Sequence, residues 1–114
     1  MVDRYIPDRG DLVWINFNPS VGREQQGRRP AVVLSPAVHN RPSELAVLLP
    51  VTSKRKGYPM EVPLPPNLPI QGVILCDQIK SLDWRNRDVE FIGKIPDATL
   101  SQIRLKLEPL ILGL

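Results

Sequence analysis

Glu24 and Arg29 stand in a polar segment, VGREQQGRRP, that leads directly into an apolar run, AVVLS. Thr52 follows a second apolar run, LAVLLPV. If both apolar runs are strands of one sheet, Arg29 and Thr52 lie at strand ends and could meet at the edge of that sheet, with Glu24 in the loop beside them. A carboxylate, a guanidinium and a hydroxyl in one place can act on a phosphodiester without a metal ion.

The reaction that suits these residues is cleavage of RNA through its own ribose 2'-hydroxyl. Glu24 would take the 2'-hydroxyl proton, because neighbouring arginines would keep its carboxylate ionised, although weakly basic. An arginine fork, from Arg28 or Arg29, would bind the phosphorane oxygens at two points, and the Thr52 hydroxyl would add a hydrogen bond. The alternative is structural: a Glu–Arg salt bridge that braces a loop, and a threonine that caps a strand end.

Other chemistries lack the residues that they need. The chain has 1 Cys and 1 His, whereas a zinc site takes three or four ligands, so neither a metal nor a cofactor is predicted. No GxGxxG, GxxxxGKS/T or GxSxG run occurs, which leaves nucleotide loops and a hydrolase nucleophile without support. The histidine stands in PAVHNRP, a stretch that is typical of a surface loop.

The composition is that of a small basic protein. Its 114 residues predict a single domain, 1–114, that can bury a core without disulfides. The net charge is +3, and basic residues concentrate at 23–29, 54–56 and 80–87, which would form a positive field if they converge. No apolar run approaches the roughly 18 residues of a membrane span and no secretory leader opens the chain, so we expect a cytoplasmic protein.

The 13 prolines divide the chain into short segments and leave no room for a long helix before residue 97. The apolar runs AVVLS and LAVLLPV should be buried on both faces of the sheet, and Pro63 places its own strand at an edge. Runs of β-type residues between the prolines predict strands at 11–17, 31–35, 45–51, 60–64, 73–82 and 89–95.

The last segment changes to helical periodicity. Asp97 or Thr99 could cap its start, and apolar residues from Leu100 to Ile111 share one face. Pro109 should kink or end this helix. Short strands followed by one C-terminal helix indicate a mainly β (α+β) fold, a small and partly open antiparallel barrel with the helix packed on it.

Three long stretches carry a resemblance to a known family: RYIPDRGDLVWINFNPSVGREQQGRRPAVVLSP, PVTSKRKGYPMEVPL and GVILCDQIKSLDWR. Over nearly the whole chain they resemble the MazF/PemK family of toxin–antitoxin ribonucleases. The resemblance implies an SH3-like, partly open barrel that works as a homodimer. It also implies the toxin of a type II toxin–antitoxin system, a metal-independent, sequence-specific endoribonuclease. Such an enzyme cleaves single-stranded mRNA to 2',3'-cyclic phosphate and 5'-hydroxyl ends and is inhibited by a cognate antitoxin.

On this resemblance the family's loop glutamate, catalytic arginine and threonine fall on Glu24, Arg29 and Thr52. Arg28 stands where the family pattern has histidine, and it can bind phosphate but cannot exchange a proton at neutral pH. An ordinary arginine is a poor proton donor for the same reason, so Arg29 is expected mainly to stabilise charge. The assignment of acid and base stays open.

Further RNA contacts are expected outside the catalytic set. Lys54, Arg55 and Lys56 could hold the phosphate backbone, with a solvated charge run as the alternative. Asn40, in the predicted loop around the histidine, could read a base edge. Gln78, in the middle of its predicted strand, could hydrogen-bond a splayed base or face water.

Two rival classes remain open: a non-catalytic toxin on the same barrel, and an RNA- or peptide-binding module. The gyrase-inhibiting kind of toxin depends on a tryptophan near its C-terminus, whereas this chain ends in ILGL. If the basic residues form a cleft for RNA, the same cleft would attract an antitoxin with an acidic, flexible tail that folds on binding and excludes RNA.

Overall fold

The computed structural model describes residues 4–19 and 21–113, and its centre is an antiparallel β-sheet. Along the chain the elements are β1 (Asp11–Asn16), β2 (Arg28–Val33), α1 (Ala37–Ser43), β3 (Ala46–Thr52), β4 (Glu61–Pro63), β5 (Val73–Leu75), β6 (Lys80–Leu82), a 3-10 turn (Trp84–Asn86), β7 (Glu90–Lys94), α2 (Asp97–Leu107) and a π-helical turn (Glu108–Leu112).

Strand β3 organises the sheet, whose order is β4-β5-β3-β2-β1-β7 in the described part of the chain. One edge of β3 pairs with β2. Along the other edge, β6 pairs with the first residues of β3, and β5 pairs with its last two, Val51 and Thr52. The outer strands β4 and β7 each pair with a single neighbour, so the sheet is open. The predicted mainly β fold with a C-terminal helix is confirmed, as is the edge position of the strand that contains Pro63.

The central strands are buried on both faces, as their continuous apolar runs predict. Successive side chains of β1 and β2 enter two different clusters, because they point to opposite sides of a sheet. Leu12 and Val32 belong to the cluster beneath α2, whereas Val13 and Val33 belong to the cluster that contains Trp84. Trp84 is therefore a core residue, and its indole nitrogen donates to a backbone carbonyl.

Helix α2 closes the first cluster by inserting Ile103, which is 1% exposed, with Leu100 and Leu107 packed beside it. The predicted apolar face does not continue, because the helix changes from α to π geometry at Glu108–Leu112. Pro109 lies in that turn, where a missing N–H interrupts the α-helical hydrogen bonds. The capping prediction is wrong: residue 96 is the N-cap, with no side-chain hydrogen bond.

Two local predictions are wrong, one at α1 and one at the strand predicted for 73–82. Residues predicted as the loop around His39 form α1, whose first amide, from Ala37, donates to Asp8 Oδ1 at 2.8 Å. The predicted single strand at 73–82 is two strands, β5 and β6, divided by a turn at Cys76 and Asp77. In the described part of the chain, no helix has the length and apolarity to cross a membrane.

Candidate active site

A cleft of about 670 Å³ opens where the β1–β2 and β3–β4 connections meet the ends of β2, β3 and β5. It brings together residues from distant parts of the sequence, and we call it the basic cleft because cationic side chains enter it from several segments. Its lining consists of Arg23, Glu24, Gln25, Arg29, Thr52, Lys54, Lys56, Tyr58, Glu61, Leu75, Asp77 and Gln78.

Glu24 lies on the β1–β2 connection and enters the cleft from one side. Its carboxylate oxygen Oε2 accepts a hydrogen bond from Lys80 Nζ, at the start of β6, and one from the backbone amide of Val21 at 3.4 Å. Both partners of the ion pair are partly shielded, since the side chains of Lys80 and Glu24 are 26% and 39% exposed. The predicted arginine partner of Glu24 is thus replaced by a lysine.

The electrostatics of Glu24 follow from these contacts. The hydrogen bond from Lys80, and after it the bond from the Val21 amide, lower the pKa of the Glu24 carboxyl below its ordinary value. The group is therefore ionised at neutral pH, as a general base must be, but it is a weak base.

Arg29 and Thr52 stand on adjacent strands of the same cleft. Arg29 Nε donates to the carbonyl of Gln26 at 2.7 Å, which fixes the guanidinium plane, while its terminal nitrogens bond no described residue. Thr52, 6% exposed at the end of β3, accepts a bond from the Lys54 amide on Oγ1 at 3.1 Å. Because that bond uses an acceptor site of the hydroxyl, its proton is still available for donation.

The β3–β4 connection supplies two of the predicted RNA-backbone cations. Lys54 and Lys56 line the cleft, whereas Arg55 between them is exposed and lies outside its lining. The connection is held by Glu61, whose carboxylate accepts bonds from the amides of Lys56 and the next residue, both at 3.0 Å. Tyr58 is 59% exposed in the cleft with Lys56 Nζ 5.9 Å from its ring centre.

Gln78 is in the cleft, but its position differs from the prediction. It lies in the β5–β6 connection rather than within a strand, and its Oε1 accepts the backbone amide of Gln25 at 3.0 Å. The side chain therefore ties the β1–β2 connection to the opposite wall of the cleft. The sequence predicted that Gln78 hydrogen-bonds an RNA base, which stays a prediction. The structure adds that Gln78 anchors the β1–β2 connection.

Arg28 points away from its neighbour, because adjacent residues of a strand face opposite sides. Its guanidinium pairs with Glu90 at 2.9 Å and lies 5.4 Å from the ring centre of Trp14. It lines a smaller depression of about 270 Å³ that Arg29 also borders. Arg28 therefore lies on a surface beside the basic cleft, and its role in RNA binding stays a prediction.

Asn40 requires a correction. It is 0% exposed, and its side-chain amide donates to the carbonyls of Pro7 and Ser35 at 2.8 and 2.9 Å. Its Oδ1 accepts from the Ser35 hydroxyl at 2.6 Å. A side chain with these bonds and no exposure cannot read a base edge, so the prediction was wrong and Asn40 is part of the core.

Two cleft features were not singled out from the sequence: the exposed ring of Tyr58 and the ammonium of Lys80 on Glu24. The signal that could have found them is their place within KGYP and DQIKS, two of the runs that carry the family resemblance. Among the described residues, no three His, Cys, Asp or Glu side chains lie together in a way that could hold a metal ion. Cys76 is a free, buried thiol, and burial raises its pKa to about 11.

The fold and the cleft define a small β-sheet protein with a polar cleft at strand ends, into which arginine and lysine side chains project. Residues 8–111 match the family described as PemK-like, MazF-like toxin of type II toxin–antitoxin system. The chain is 45% identical over 111 residues to the endoribonuclease toxin MazF of Escherichia coli K12, covering 97% of this chain and 99% of that protein. The chain therefore belongs to the PemK-like, MazF-like toxin family.

Solved structures extend the comparison to three dimensions. The crystal structure of MazF from Deinococcus radiodurans superposes with a TM-score of 0.92 at 51% identity, covering 97% of this chain and 100% of that one. A chain of a MazE–MazF complex from the same organism superposes with a TM-score of 0.84 at 47% identity, covering 95% and 97% of the two chains.

Proposed function

We propose that this chain is the endoribonuclease toxin of a toxin–antitoxin pair and that it cleaves single-stranded mRNA at a specific sequence, without a metal ion. The observation that carries the proposal is the meeting of Glu24, Arg29 and Thr52 in one basic cleft, although they come from different segments. The names of the relatives support the same activity, since the similar E. coli protein is an endoribonuclease toxin. We further propose that 1–114 is one toxin domain acting in the cytoplasm, where mRNA is found.

The chain's own groups supply the steps of a 2'-hydroxyl attack. Glu24, ionised at neutral pH, takes the proton of the 2'-hydroxyl, and the oxygen attacks the adjacent phosphorus. The bond from phosphorus to the 5'-oxygen breaks, leaving a 2',3'-cyclic phosphate, and the 5'-oxygen takes up a proton from water. The terminal nitrogens of Arg29 and the hydroxyl of Thr52 stabilise the charge that builds on the phosphorane oxygens.

RNA binding uses the remaining surface of the cleft. Lys54 and Lys56 hold the phosphate backbone, and Tyr58 offers an exposed ring on which a base can stack. Gln78 keeps an amide group at the cleft wall while its oxygen anchors the β1–β2 connection. Arg28 and Arg55 add positive charge beside the cleft, so their contribution is long-range attraction rather than contact with the reacting phosphate.

Two protein partners are part of the proposal: a second copy of the chain and a cognate antitoxin with an acidic, flexible tail. The Deinococcus MazE–MazF complexes support the antitoxin. Large apolar side chains exposed on the C-terminal segment support a protein contact, because a soluble chain rarely leaves such a cluster uncovered. These side chains are Leu105, Leu110, Ile111 and Leu112.

The decisive experiment is cleavage of a long single-stranded RNA in EDTA, with the product ends mapped. We expect 2',3'-cyclic phosphate ends from the wild type. Arg29→Ala and Thr52→Val should each lower the rate at least about 100-fold, or about 2.7 kcal/mol of barrier. Thr52→Ser keeps the hydroxyl and is the matched control, which should retain most activity. RNA binding with no cleavage by the wild type would overturn the proposal in favour of a binding module.

A further inference from the structure

We propose that Lys80 is a positioning residue for the cleavage reaction, which holds the Glu24 carboxylate in the cleft through a direct ion pair. The inference rests on the proposed function, because it assigns a role at the same site. The two residues are 56 positions apart and belong to different walls of the cleft. Glu24 lies on the β1–β2 connection, whereas Lys80 begins β6.

The lysine is the fixed member of the pair. Its backbone lies in the sheet, where Lys80 pairs with Leu48 of β3. Glu24 belongs instead to a connection without strand or helix, between Gly22 at φ +63° and Gly27 at φ +75°. Glycines at positive φ impose little restraint of their own. The nearby Val21 amide gives the carboxylate one long bond of 3.4 Å, and the charged contact comes from outside the connection.

A second contact anchors the same connection to the same wall. The amide of Gln25, next to Glu24, donates to Gln78 Oε1 at 3.0 Å, and Gln78 is two residues from Lys80. The backbone of the connection is therefore docked by Gln78, and the Glu24 side chain is docked by Lys80. The amide of Gly27 also donates to Asn18 Oδ1 at 2.9 Å, which closes the base of the connection.

The ion pair is suited to orienting the Glu24 carboxylate rather than to stabilising the fold. Both side chains keep contact with water, and a pair of this kind adds little to the free energy of unfolding. Its electrostatic effect on Glu24 is direct, because the hydrogen bond from Lys80 is the largest cause of the lowered pKa of that carboxyl. Removing the ammonium should therefore raise the Glu24 pKa and leave the carboxylate less firmly oriented, with the long bond from the Val21 amide remaining.

The kinetic test is the pH dependence of kcat/KM for RNA cleavage by Lys80→Met and Lys80→Arg. In Lys80→Met we expect a loss of at least roughly 10-fold at neutral pH and an acid limb that moves to higher pH, since the ionised form is needed. Lys80→Arg keeps the hydrogen-bond donor and the positive charge. It should therefore show the wild-type rate and the wild-type acid limb. A Lys80→Met profile that superimposes on the wild-type profile would overturn the inference.

A second measurement does not depend on cleavage. The carboxyl carbon of Glu24 is followed by NMR during a pH titration of the full chain without RNA. We expect a higher titration midpoint in Lys80→Met, no rise in Lys80→Arg, and no rise in Lys106→Met, which removes the same charge from α2. An unchanged midpoint in Lys80→Met would refute the inference even if the wild type cleaves RNA. A wild type that does not cleave RNA would refute the proposed function instead.

Discussion

Gly72 lies against the backbone of Thr52 so closely that a Cβ atom on Gly72 would stand 2.5 Å from the Thr52 carbonyl oxygen. The glycine precedes β5, and the threonine ends β3 beside it, where Thr52 pairs with Val73. The φ of Gly72, +142°, also lies in a region that residues with side chains rarely adopt. The position of the proposed catalytic hydroxyl therefore depends on the absence of a side chain at residue 72.

Gly72→Ala should reduce both stability and activity, because the added methyl group must displace the Thr52 carbonyl. We expect a loss of about 2–4 kcal/mol in the free energy of unfolding, from overpacking and backbone strain together. Urea denaturation and RNA cleavage measure the two effects. Gly113→Ala is the matched control: its φ is +70° with nothing within 4 Å of the new Cβ, so it should cost less and leave cleavage unchanged.

Arg28 and Arg29 are neighbours in sequence but have different surroundings. The alanine variant of Arg28 is therefore a control for the alanine variant of Arg29. Arg29→Ala should lower the rate at saturating RNA by about 100-fold, because the Arg29 guanidinium lies in the cleft where the reacting phosphate is proposed to bind. Arg28→Ala should keep that rate and weaken RNA binding modestly, since Arg28 is paired with Glu90 beside the cleft. Single-turnover cleavage separates the two effects, and equal rate losses in both variants would contradict the assignment.

Tyr58 should contribute through its ring and not through its hydroxyl. Tyr58→Ala is expected to lower RNA affinity by about 1–3 kcal/mol, the usual range for loss of one stacked base. Tyr58→Phe keeps the ring and should bind RNA like the wild type. Fluorescence of a 2-aminopurine placed along a short RNA reports the stacking. If the phenylalanine variant binds as weakly as the alanine variant, the ring is not a stacking platform.

RNA and the antitoxin tail should show the same response to salt. Both ligands would place negative charge on Lys54, Lys56 and Arg29, so raising the salt concentration should weaken both affinities. Titrations of the Thr52→Val variant, which is expected to lose cleavage while keeping every cation of the cleft, measure the two slopes under identical conditions at several salt concentrations. A flat salt dependence for the antitoxin would mean that it does not use the basic cleft.

Asn40→Ala should destabilise the fold without a specific effect on RNA. The substitution leaves the buried Ser35 hydroxyl and the Pro7 carbonyl without their partner, at a cost on the order of 3 kcal/mol. Asn86→Ala, at an exposed position, should change stability little. Thermal unfolding provides the measurement, together with cleavage rates per folded molecule. An Asn40→Ala protein of normal stability with altered sequence preference would reinstate the role in base reading.

The proposed catalytic set and the sheet core were accessible from the sequence for different reasons. Arg29 and Thr52 stand beside apolar runs, so their place at strand ends follows from local pattern, whereas Glu24 lies in the polar segment before β2. The family resemblance selects the same three residues. The continuous apolar runs of β2 and β3 required burial on both faces, and the two clusters provide it. These properties depend on short-range sequence patterns, which can be recognised without the tertiary structure.

Contacts between distant segments were not accessible in the same way. Helix α1 forms where proline and polar residues predicted a loop, because Asp8 accepts the Ala37 amide across 29 positions. Asn40 then turns inward, to carbonyls that no local pattern identifies. The separation of Arg28 from the cleft likewise follows from the pairing of β2 with β1, which sets the face to which each side chain points.

The sequence by itself determined the class of fold, the chemical groups of the site and the family, because these depend on composition, period and motif. Only the tertiary structure decided that Lys80, and not an arginine, holds Glu24, and that Gly72 leaves room for the Thr52 backbone. The physical reason is that pKa values and packing depend on distances between atoms of different segments. Those distances exist only once β3 has paired with β5 and β6.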